Sequence, residues 1–289
     1  MRDLGIPYLL IRVAVSELTP ATLVFVRTGV GALILMPIVL ARGELRGLGG
    51  RWPALIAFAA VEVAVPWLAL SSAETHITSA LAGLLVSAVP LVGVVIATSL
   101  GNREHIGLPS LSGLLLGLVG VALIVGFDLR ASSAVALVEM AVVVIGYAVG
   151  PAILARYLTG VPSATVIGVS LLLCTLAYAP FGIAQWPHAV IGWNVVGAVA
   201  VLAVVCTAIA FLLFFELIAE IGPVRATVIT YINPAVAATL GVAVLHESFT
   251  VGMGVGFVLV LAGSILGTRL RPSSETPARV SEAQTGQAV

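Results

Sequence analysis

The sequence predicts an all-α integral membrane protein of about ten transmembrane helices, arranged as two inverted five-helix repeats with a shortened first helix. Three observations support this fold class. Of the 289 residues, 60% are hydrophobic and only 9% are charged, whereas a soluble domain carries about 25% charged residues. Apolar runs long enough to cross a bilayer recur along most of the chain. The two halves of the chain also align with each other at a nearly constant offset.

Short polar breaks divide the apolar sequence into ten segments. The segments cover residues 4–17, 21–41, 53–72, 77–100, 108–126, 134–157, 162–184, 191–217, 223–244 and 249–269. They lack the alternating pattern of membrane strands, so each is expected to be a helix. The tail 270–289 is polar and contains proline, which predicts a disordered segment.

The distribution of arginine predicts the orientation of the chain. The protein has no lysine, and all 13 basic residues are arginine. If both termini share one face of the membrane, the other face keeps only Arg12, Arg27 and Arg130. Cytoplasmic loops carry the excess of positive charge, so both termini are expected in the cytoplasm. The arginine, alanine, valine and glycine bias is typical of a GC-rich bacterial genome and favours the bacterial plasma (inner) membrane.

An internal repeat relates residues 4–126 to residues 134–269. A shift of 142 to 144 residues superimposes Pro7 on Pro151, Arg12 on Arg156, Pro20 on Pro162, Pro37 on Pro180, Pro90 on Pro234, Glu104 on Glu247, Gly113 on Gly256 and Gly120 on Gly263. Each repeat contains five crossings. Because five is odd, the second repeat must enter the membrane from the opposite face, an arrangement typical of secondary transporters.

The repeat also explains why Pro7 lies so close to the start of the first helix. Pro151 follows about eighteen apolar residues of its segment, whereas its partner Pro7 follows six residues, so the first helix is about eleven residues, or roughly 16 Å, shorter. Three explanations stay open: a miscalled start, a gene fragment, or a protein that works with a short first helix.

Glu62 is the first candidate functional residue. It lies near the middle of the apolar segment 53–72, where a charged carboxylate costs about 2.5–3.5 kcal/mol. One interpretation is a proton-coupling or cation-binding group that faces a cavity. The other is a structural acid that is protonated or paired with an arginine, for which Arg27 is a candidate. No acidic counterpart occurs in the second repeat.

Further candidates are polar, aromatic or proline residues inside apolar segments. Proline within a helix frees a carbonyl and favours a kink, so Pro66, Pro90 and Pro234 are hinge candidates. The substrate-binding or coupling candidates besides Glu62 are Trp67, Ser87, Tyr147, Thr230, Tyr231 and Asn233. Ordinary hydrogen bonding between helices is the alternative interpretation of the hydroxyl and amide groups.

Several motifs of known functional classes are missing from the sequence. There is no CxxC, no HExxH and no phosphate-binding GxxxxGK[ST] sequence. We therefore expect no metal, no cofactor, no catalytic residues and no nucleic-acid partner, and ATP-driven transport by this chain alone is excluded. Glycine stripes in the segments 108–126 and 249–269 predict close helix packing or a homodimer contact.

The order and spacing of several motifs resemble a known family. The first repeat contains GIPYLLIR, TPATLVFVRTGVGALILMP, SAETHITSALAGLLVSAVP and NREHIGLPSLSGLLLGLVGVALI, and the second ends in EIGPVRATVITYINPAVAATLGVAVLHESFTVGMGVGFVLVLAGSIL. Together they resemble the ten-helix EamA-type branch of the drug/metabolite transporter superfamily over residues 4–269. The resemblance implies a plasma-membrane carrier with a central cavity between the repeats, lined mainly by helices 3, 4, 8 and 9 with parts of 1 and 6. It also implies a small metabolite, amino acid or drug as substrate.

Three functional hypotheses follow. The first is a secondary transporter, possibly proton-coupled, that works by alternating access in the lipid bilayer. The second is a non-transporting or vestigial membrane protein, for which the short first helix is the support. The third is a membrane-embedded enzyme, which needs acidic or histidine residues clustered at one interface; the charges here are few and scattered.

Overall fold

Helices account for all regular structure that is described. The computed structural model describes residues 6–99, 108–126, 133–213, 229–246 and 249–267, and the predicted tail 270–289 lies outside these ranges. Within the described ranges there are no strands, and there are ten helices when consecutive segments, and the two segments on either side of residues 87–88, are counted as one helix. A short 3-10 helix, Glu44–Arg51, leads into the third of them and is not counted separately. Each helix falls within one of the ten apolar segments predicted from the sequence, to within a few residues.

The helices are numbered α1 to α10 in chain order. Two of them are composite: α3 consists of Trp52–Phe58, Ala59–Ala64 and Val65–Ala73, and α4 consists of Ser79–Val86 and Val89–Ser99. The others are α1 Ile6–Ala14, α2 Pro20–Ala41, α5 Leu108–Gly126, α6 Ala134–Tyr157, α7 Ser163–Ala184, α8 Trp193–Ala203 with its continuation Val204–Ile209 and on to Leu213, α9 Ile229–Leu245 and α10 Val251–Gly267.

Six stretches of helix are long and apolar enough to cross a membrane, by length and composition. They are Pro20–Ala41, Gly47–Ala73, Ser79–Ile96, Ala134–Tyr157, Ser163–Ala184 and Trp193–Leu213. Local sequence sets where such helices begin. For example, the Thr19 hydroxyl accepts a hydrogen bond from the Thr22 amide at 3.3 Å, and Pro20 occupies the first helical position, where its missing N–H is harmless. A membrane crossing by α1, α5, α9 and α10 stays a prediction.

The most extensive helix contacts join the first half of the chain to the second. They pair α5 with α10, α2 with α7, α3 with α6, α4 with α9 and α1 with α8. If each helix is replaced by its counterpart in the other half (α1 by α6, α2 by α7 and so on), the same five pairs result. The two halves are therefore interleaved rather than packed as separate bundles.

The glycine stripes of α5 and α10 pack against each other. A Cβ added to Gly120 would lie 2.6 Å from the Gly256 carbonyl oxygen, and one added to Gly263 would lie 2.5 Å from the Gly113 carbonyl oxygen. Residue numbers rise along α5 as they fall along α10, so the two helices are antiparallel. Close packing of small residues, one of the two interpretations of these stripes, thus occurs within one chain. A homodimer stays a prediction.

Helices α2 and α7 are also antiparallel. The Thr175 hydroxyl donates to Thr28 Oγ1 at 3.0 Å, and the Thr22 hydroxyl donates to the Gly182 carbonyl at 3.3 Å. Early residues of α2 therefore contact late residues of α7. These hydrogen bonds satisfy hydroxyl groups inside an apolar bundle, where an unpaired polar group is costly.

Two π-helical segments interrupt α3 and α8 at corresponding positions. Ala59–Ala64 lies in α3 and Val204–Ile209 in α8, and their offset is close to the one that aligns the two halves. In α3 the Val65 amide donates to the Ala60 carbonyl five residues earlier, and the next residue is Pro66, which has no N–H to offer the Glu62 carbonyl. Single π turns inside α-helices are frequent at functional sites.

Candidate functional site

Five polar or aromatic side chains form a central polar cluster at the junction of the two halves. They are Arg27 of α2, Glu62 and Trp67 of α3, Tyr147 of α6 and Thr207 of α8. Glu62 and Thr207 each occupy the fourth position of a π segment. The sequence predicted Glu62, Trp67 and Tyr147 as candidates, and the fold brings these three together.

Arg27 is a buried cation. Its side chain is 7% exposed, although the sequence pattern counted it with the charges of one membrane face. The guanidinium carbon lies 3.6 Å from the centre of the Trp67 ring, and Nε donates to Thr207 Oγ1 at 2.9 Å. Stacking on the indole and the hydrogen bond offset part of the cost of burying the charge. Glu62 does not form an ion pair with it, and the fully buried Glu74 lies within electrostatic range of it.

Glu62 is a buried acid that lacks a full set of partners. Its Oε2 atom is inaccessible to solvent and has no hydrogen-bond partner among the described residues. The carboxylate packs directly against Gly150 of α6. A buried carboxylate oxygen without a hydrogen bond is costly, so packing alone does not account for a glutamate at this position.

Two glycines of α6 make room for the π segment. A Cβ added to Gly146 would lie 2.5 Å from the Val61 carbonyl oxygen and 2.6 Å from Pro66 Cγ, and one added to Gly150 would collide with the Glu62 carboxylate. The spacing of the glycines places them on one face of α6. They allow α6 to approach α3 closely enough to enclose the carboxylate.

Tyr147 and Trp67 connect the two charges. Trp67 is 5% exposed and carries Arg27 on its ring. Tyr147 lies near Trp67, and Arg27, Glu62 and Glu74 are all within electrostatic range of its hydroxyl. The cluster therefore places a cation, an acid and two amphipathic rings from both halves of the chain in one buried region.

Helix α7 holds the π segment of α3 from the other side. The Tyr178 hydroxyl donates to the Ala64 carbonyl at 3.1 Å, and the Cys174 thiol donates to the Ala59 carbonyl at 3.6 Å. These bonds occupy carbonyl groups at both ends of the segment, where the regular helical pattern is disturbed. The irregular backbone that presents Glu62 is thus anchored by neighbouring helices.

Two regions of the chain match the same protein family. The profile of the EamA-like transporter family matches residues 4–126 and again residues 134–269, which together make up most of the chain. The chain belongs to the EamA-like transporter family. The predicted resemblance is confirmed, and the protein is a membrane protein of a drug/metabolite transporter type.

Solved structures share the EamA-like fold. One of eleven matching chains, described as "Crystal structure of protein", has a TM-score of 0.63 and 20% sequence identity, and the match covers 91% of this chain and 94% of that one. At this identity the likeness shows the fold alone. Comparison with curated proteins gives no match.

The remaining candidates of this EamA-like chain lie apart from the cluster or outside the described side chains. The Ser87 hydroxyl donates to the Leu84 carbonyl of its own helix, and its described contacts do not reach the central polar cluster. Pro90 is the second residue of the segment Val89–Ser99, directly after the break in α4 at residues 87–88. Pro66 follows the π segment. The helical backbone of α9 includes Thr230, Tyr231, Asn233 and Pro234, but their side chains lie outside the described part of the structure.

Arg27 and Thr207 are the residues that sequence reasoning missed. The sequence indicated Arg27 as a charge of one membrane face and as a candidate partner of Glu62, whereas it stacks on Trp67 and bonds to Thr207. The repeat offset of 142 to 144 residues places Val204, Val205 and Cys206 opposite Glu62, and it is the alignment of the two π segments, at an offset of 145, that brings Thr207 to the position of Glu62. A threonine in an apolar helix is too common to stand out without that alignment.

Proposed function

We propose that this EamA-like protein is a secondary transporter that moves a small metabolite, an amino acid or a drug-like compound across the bacterial plasma membrane by alternating access. The observation that carries the proposal is the pair of family matches, one in each half. The central polar cluster supports it, because its side chains come from both halves. A site at the junction of two repeats can be exposed to each side of the membrane in turn.

An inverted repeat of ten crossings is part of this proposal. It is supported by the antiparallel packing of α2 with α7 and of α5 with α10, which are corresponding helices of the two halves. Corresponding helices in a parallel repeat would have the same direction. The exchange of equivalent helices in the contact pattern also supports a two-fold relation between the halves.

The chemistry of the cluster favours a small zwitterion, and among the proposed substrates this is an amino acid. Arg27 carries a buried positive charge that contacts two neutral groups, Trp67 and Thr207, while Glu62 has a buried oxygen with no hydrogen-bond partner among the described residues. A substrate carboxylate would complement the guanidinium, and a substrate ammonium group would complement Glu62. Trp67 and Tyr147 supply apolar surface and hydrogen-bonding groups between them.

Coupling to protons is assigned to Glu62. A carboxylate inside the membrane is a common element of proton relays in transporters. Its Oε2 atom can accept a proton without breaking a hydrogen bond of the described residues. A substrate ammonium group and a proton would then compete for the Glu62 carboxylate. This competition would couple the movement of substrate in one direction to the movement of protons in the other.

Counterflow in liposomes tests the proposal. Purified protein is reconstituted with one unlabelled amino acid inside and the radiolabelled form outside, for each amino acid in turn. We expect label to accumulate transiently for a subset of them. Arg27→Gln should reduce this exchange at least tenfold, and Glu62→Gln should abolish uptake driven by a pH gradient.

Glu17→Gln is the matched control, because Glu17 lies in the exposed turn after α1 and a glutamine can still accept from the Gly192 amide. It should transport normally. If Glu62→Gln transports normally and its transport rate depends on pH as in the wild type, Glu62 does not couple transport to protons. The amino-acid assignment fails if no amino acid exchanges.

A further inference from the structure

A lateral groove lies between the pair α2 and α7 and the pair α3 and α6. Its volume is about 540 Å³, which is in the range of sites for drug-sized molecules. It lies toward one end of these helices, since Pro20 begins α2 and Gln185 directly follows α7. The other lining residues are Ala21, Val65, Leu68, Ala69, Ser72, Glu139, Tyr178 and Phe181.

Glu139 is the group in this groove that needs an explanation. It is in the second turn of α6, inside an apolar helix, and it lines the groove. Its Oε2 atom is buried and has no hydrogen-bond partner among the described residues. The ion pair found among the described side chains joins Arg42 to Glu44, so Glu139 is not neutralised by a described arginine. A carboxylate in this position is costly unless a positive group approaches it.

Aromatic and aliphatic side chains form the walls around this carboxylate. The Tyr178 ring is held in place because its hydroxyl donates to the Ala64 carbonyl at 3.1 Å. Phe181, one helical turn further along α7, is 56% exposed, and Val65 is 49% exposed. Two aromatic rings beside a carboxylate provide the groups that bind ammonium ions in proteins.

We propose that this groove binds an organic cation, an ammonium group attached to an apolar body, with Glu139 as its counter-charge. The lining contains a carboxylate but no arginine, lysine or histidine. It therefore complements a ligand with a net positive charge. A zwitterionic phospholipid headgroup fits less well, because its phosphate would lie close to Glu139 without a basic partner.

The groove is distinct from the central polar cluster. Glu62 packs on Gly150 and lies with Arg27, Trp67, Tyr147 and Thr207, none of which lines the groove. Among the described contacts, helix α3 joins the two regions: its π segment carries Glu62, and the Ala64 carbonyl of this segment accepts a hydrogen bond from Tyr178 of the groove. Binding in the groove is therefore measurable whether or not the central cluster carries substrate.

Equilibrium binding of benzyltrimethylammonium tests the proposal. The intact protein is placed in nanodiscs of phosphatidylglycerol, which contain no amine headgroup, and the radiolabelled cation is dialysed against them. We expect saturable binding of one cation per protein above the background of empty nanodiscs. Neopentylbenzene, the uncharged isostere, should bind at least about tenfold more weakly.

Variants of the groove residues test whether the cation binds at Glu139. Glu139→Gln keeps the shape of the side chain and should weaken binding of the cation at least about tenfold. Phe181→Leu should weaken it several-fold, because it removes an aromatic face and keeps an apolar one. Glu62→Gln removes a carboxylate from the central cluster instead and should bind the cation as the wild type does. A thermal unfolding curve that matches the wild type shows that Glu139→Gln is folded.

Three results would overturn the proposal. The first is equal binding of the cation by wild type and a folded Glu139→Gln variant. The second is equal affinity for the cation and its neutral isostere. The third is loss of cation binding when phosphatidylethanolamine replaces phosphatidylglycerol, which would assign the groove to a lipid headgroup. Failure of amino-acid counterflow leaves all three measurements unaffected, so the two proposals fail separately.

Discussion

Arg27 and Glu62 are two buried ionisable groups that the fold brings into one region without pairing them with each other. Arg27 is held by an aromatic ring and a hydroxyl, both of them neutral. Glu62 is held against a glycine and retains a buried oxygen without a hydrogen bond. A purely structural pair would gain most from direct contact, because removing two charges from water is repaid only by good mutual geometry. Their separation is what makes a zwitterionic ligand a sensible occupant.

Gly150→Ala tests how closely the position of Glu62 depends on α6. The new methyl group would collide with the carboxylate, so Glu62 would have to move or α6 would have to shift away from α3. We expect counterflow to fall at least tenfold, and the free energy of unfolding to fall by about 1–3 kcal/mol. Counterflow and thermal unfolding of the purified variant measure these effects.

Gly197→Ala is the matched control for this change. Gly197 also lies inside a helix, but a Cβ there meets no atom within 4 Å. Transport should match the wild type, and stability should not fall, because alanine is the better helix former. Normal counterflow by Gly150→Ala would mean that the carboxylate tolerates displacement and is not a positioned binding group.

At the residue level, the sequence could predict part of the site. Glu62 stands out because a carboxylate within an apolar run is rare, and Trp67 and Tyr147 stand out as amphipathic rings. The role of Arg27 depends on which face of α2 meets α3 and α8. Tertiary packing determines which face of α2 this is, and it cannot be read from the hydropathy of α2 alone. For the same reason Glu139 and its groove were not predicted.

At the level of elements, the helices were easier to predict than their irregularities. All ten helices fall on apolar runs, because burial of backbone groups in a bilayer requires helices in these segments. The π segments were not predicted, because they depend on a one-residue change of hydrogen-bond register that leaves hydropathy unaltered. Pro66 indicated a disturbance in α3, but α8 has a π segment at the same position without a proline inside or directly after it.

Gly120→Ala tests the contact between α5 and α10. A Cβ at this position would lie 2.6 Å from the Gly256 carbonyl oxygen and 2.7 Å from the Val260 amide nitrogen, so the backbones would have to separate. We expect the free energy of unfolding to fall by about 1–3 kcal/mol through overpacking. Reversible thermal or denaturant unfolding in detergent measures the change.

Gly197→Ala again serves as the reference, because in open space the added methyl group relieves the helix penalty of glycine. A Gly120→Ala variant as stable as Gly197→Ala would contradict the close packing of these two helices. A loss of stability without any change in oligomeric state would agree with a contact inside one chain.

At the scale of the whole molecule, the interleaved halves account for both the buried cluster and the packing at its edges. Corresponding helices of the two halves pack antiparallel, α2 with α7 and α5 with α10. Between them, π segments from both halves bring Glu62 and Thr207 inward. The proposed inverted duplication would explain why one set of contacts recurs under exchange of the halves, and it would give the proposed transporter two related conformations that open to opposite sides.

The most direct measurement is the sidedness of two introduced cysteines in intact cells, one at Gly47, in the 3-10 helix Glu44–Arg51 at the start of the stretch Gly47–Ala73, and one at His188 after α7. The native Cys174 and Cys206 are buried and give little background. A membrane-impermeant thiol reagent should label the cysteine at position 188 in intact cells, and the cysteine at position 47 only after the membrane is opened. Labelling of both positions from the same side would contradict the inverted arrangement, and with it the transport mechanism proposed here.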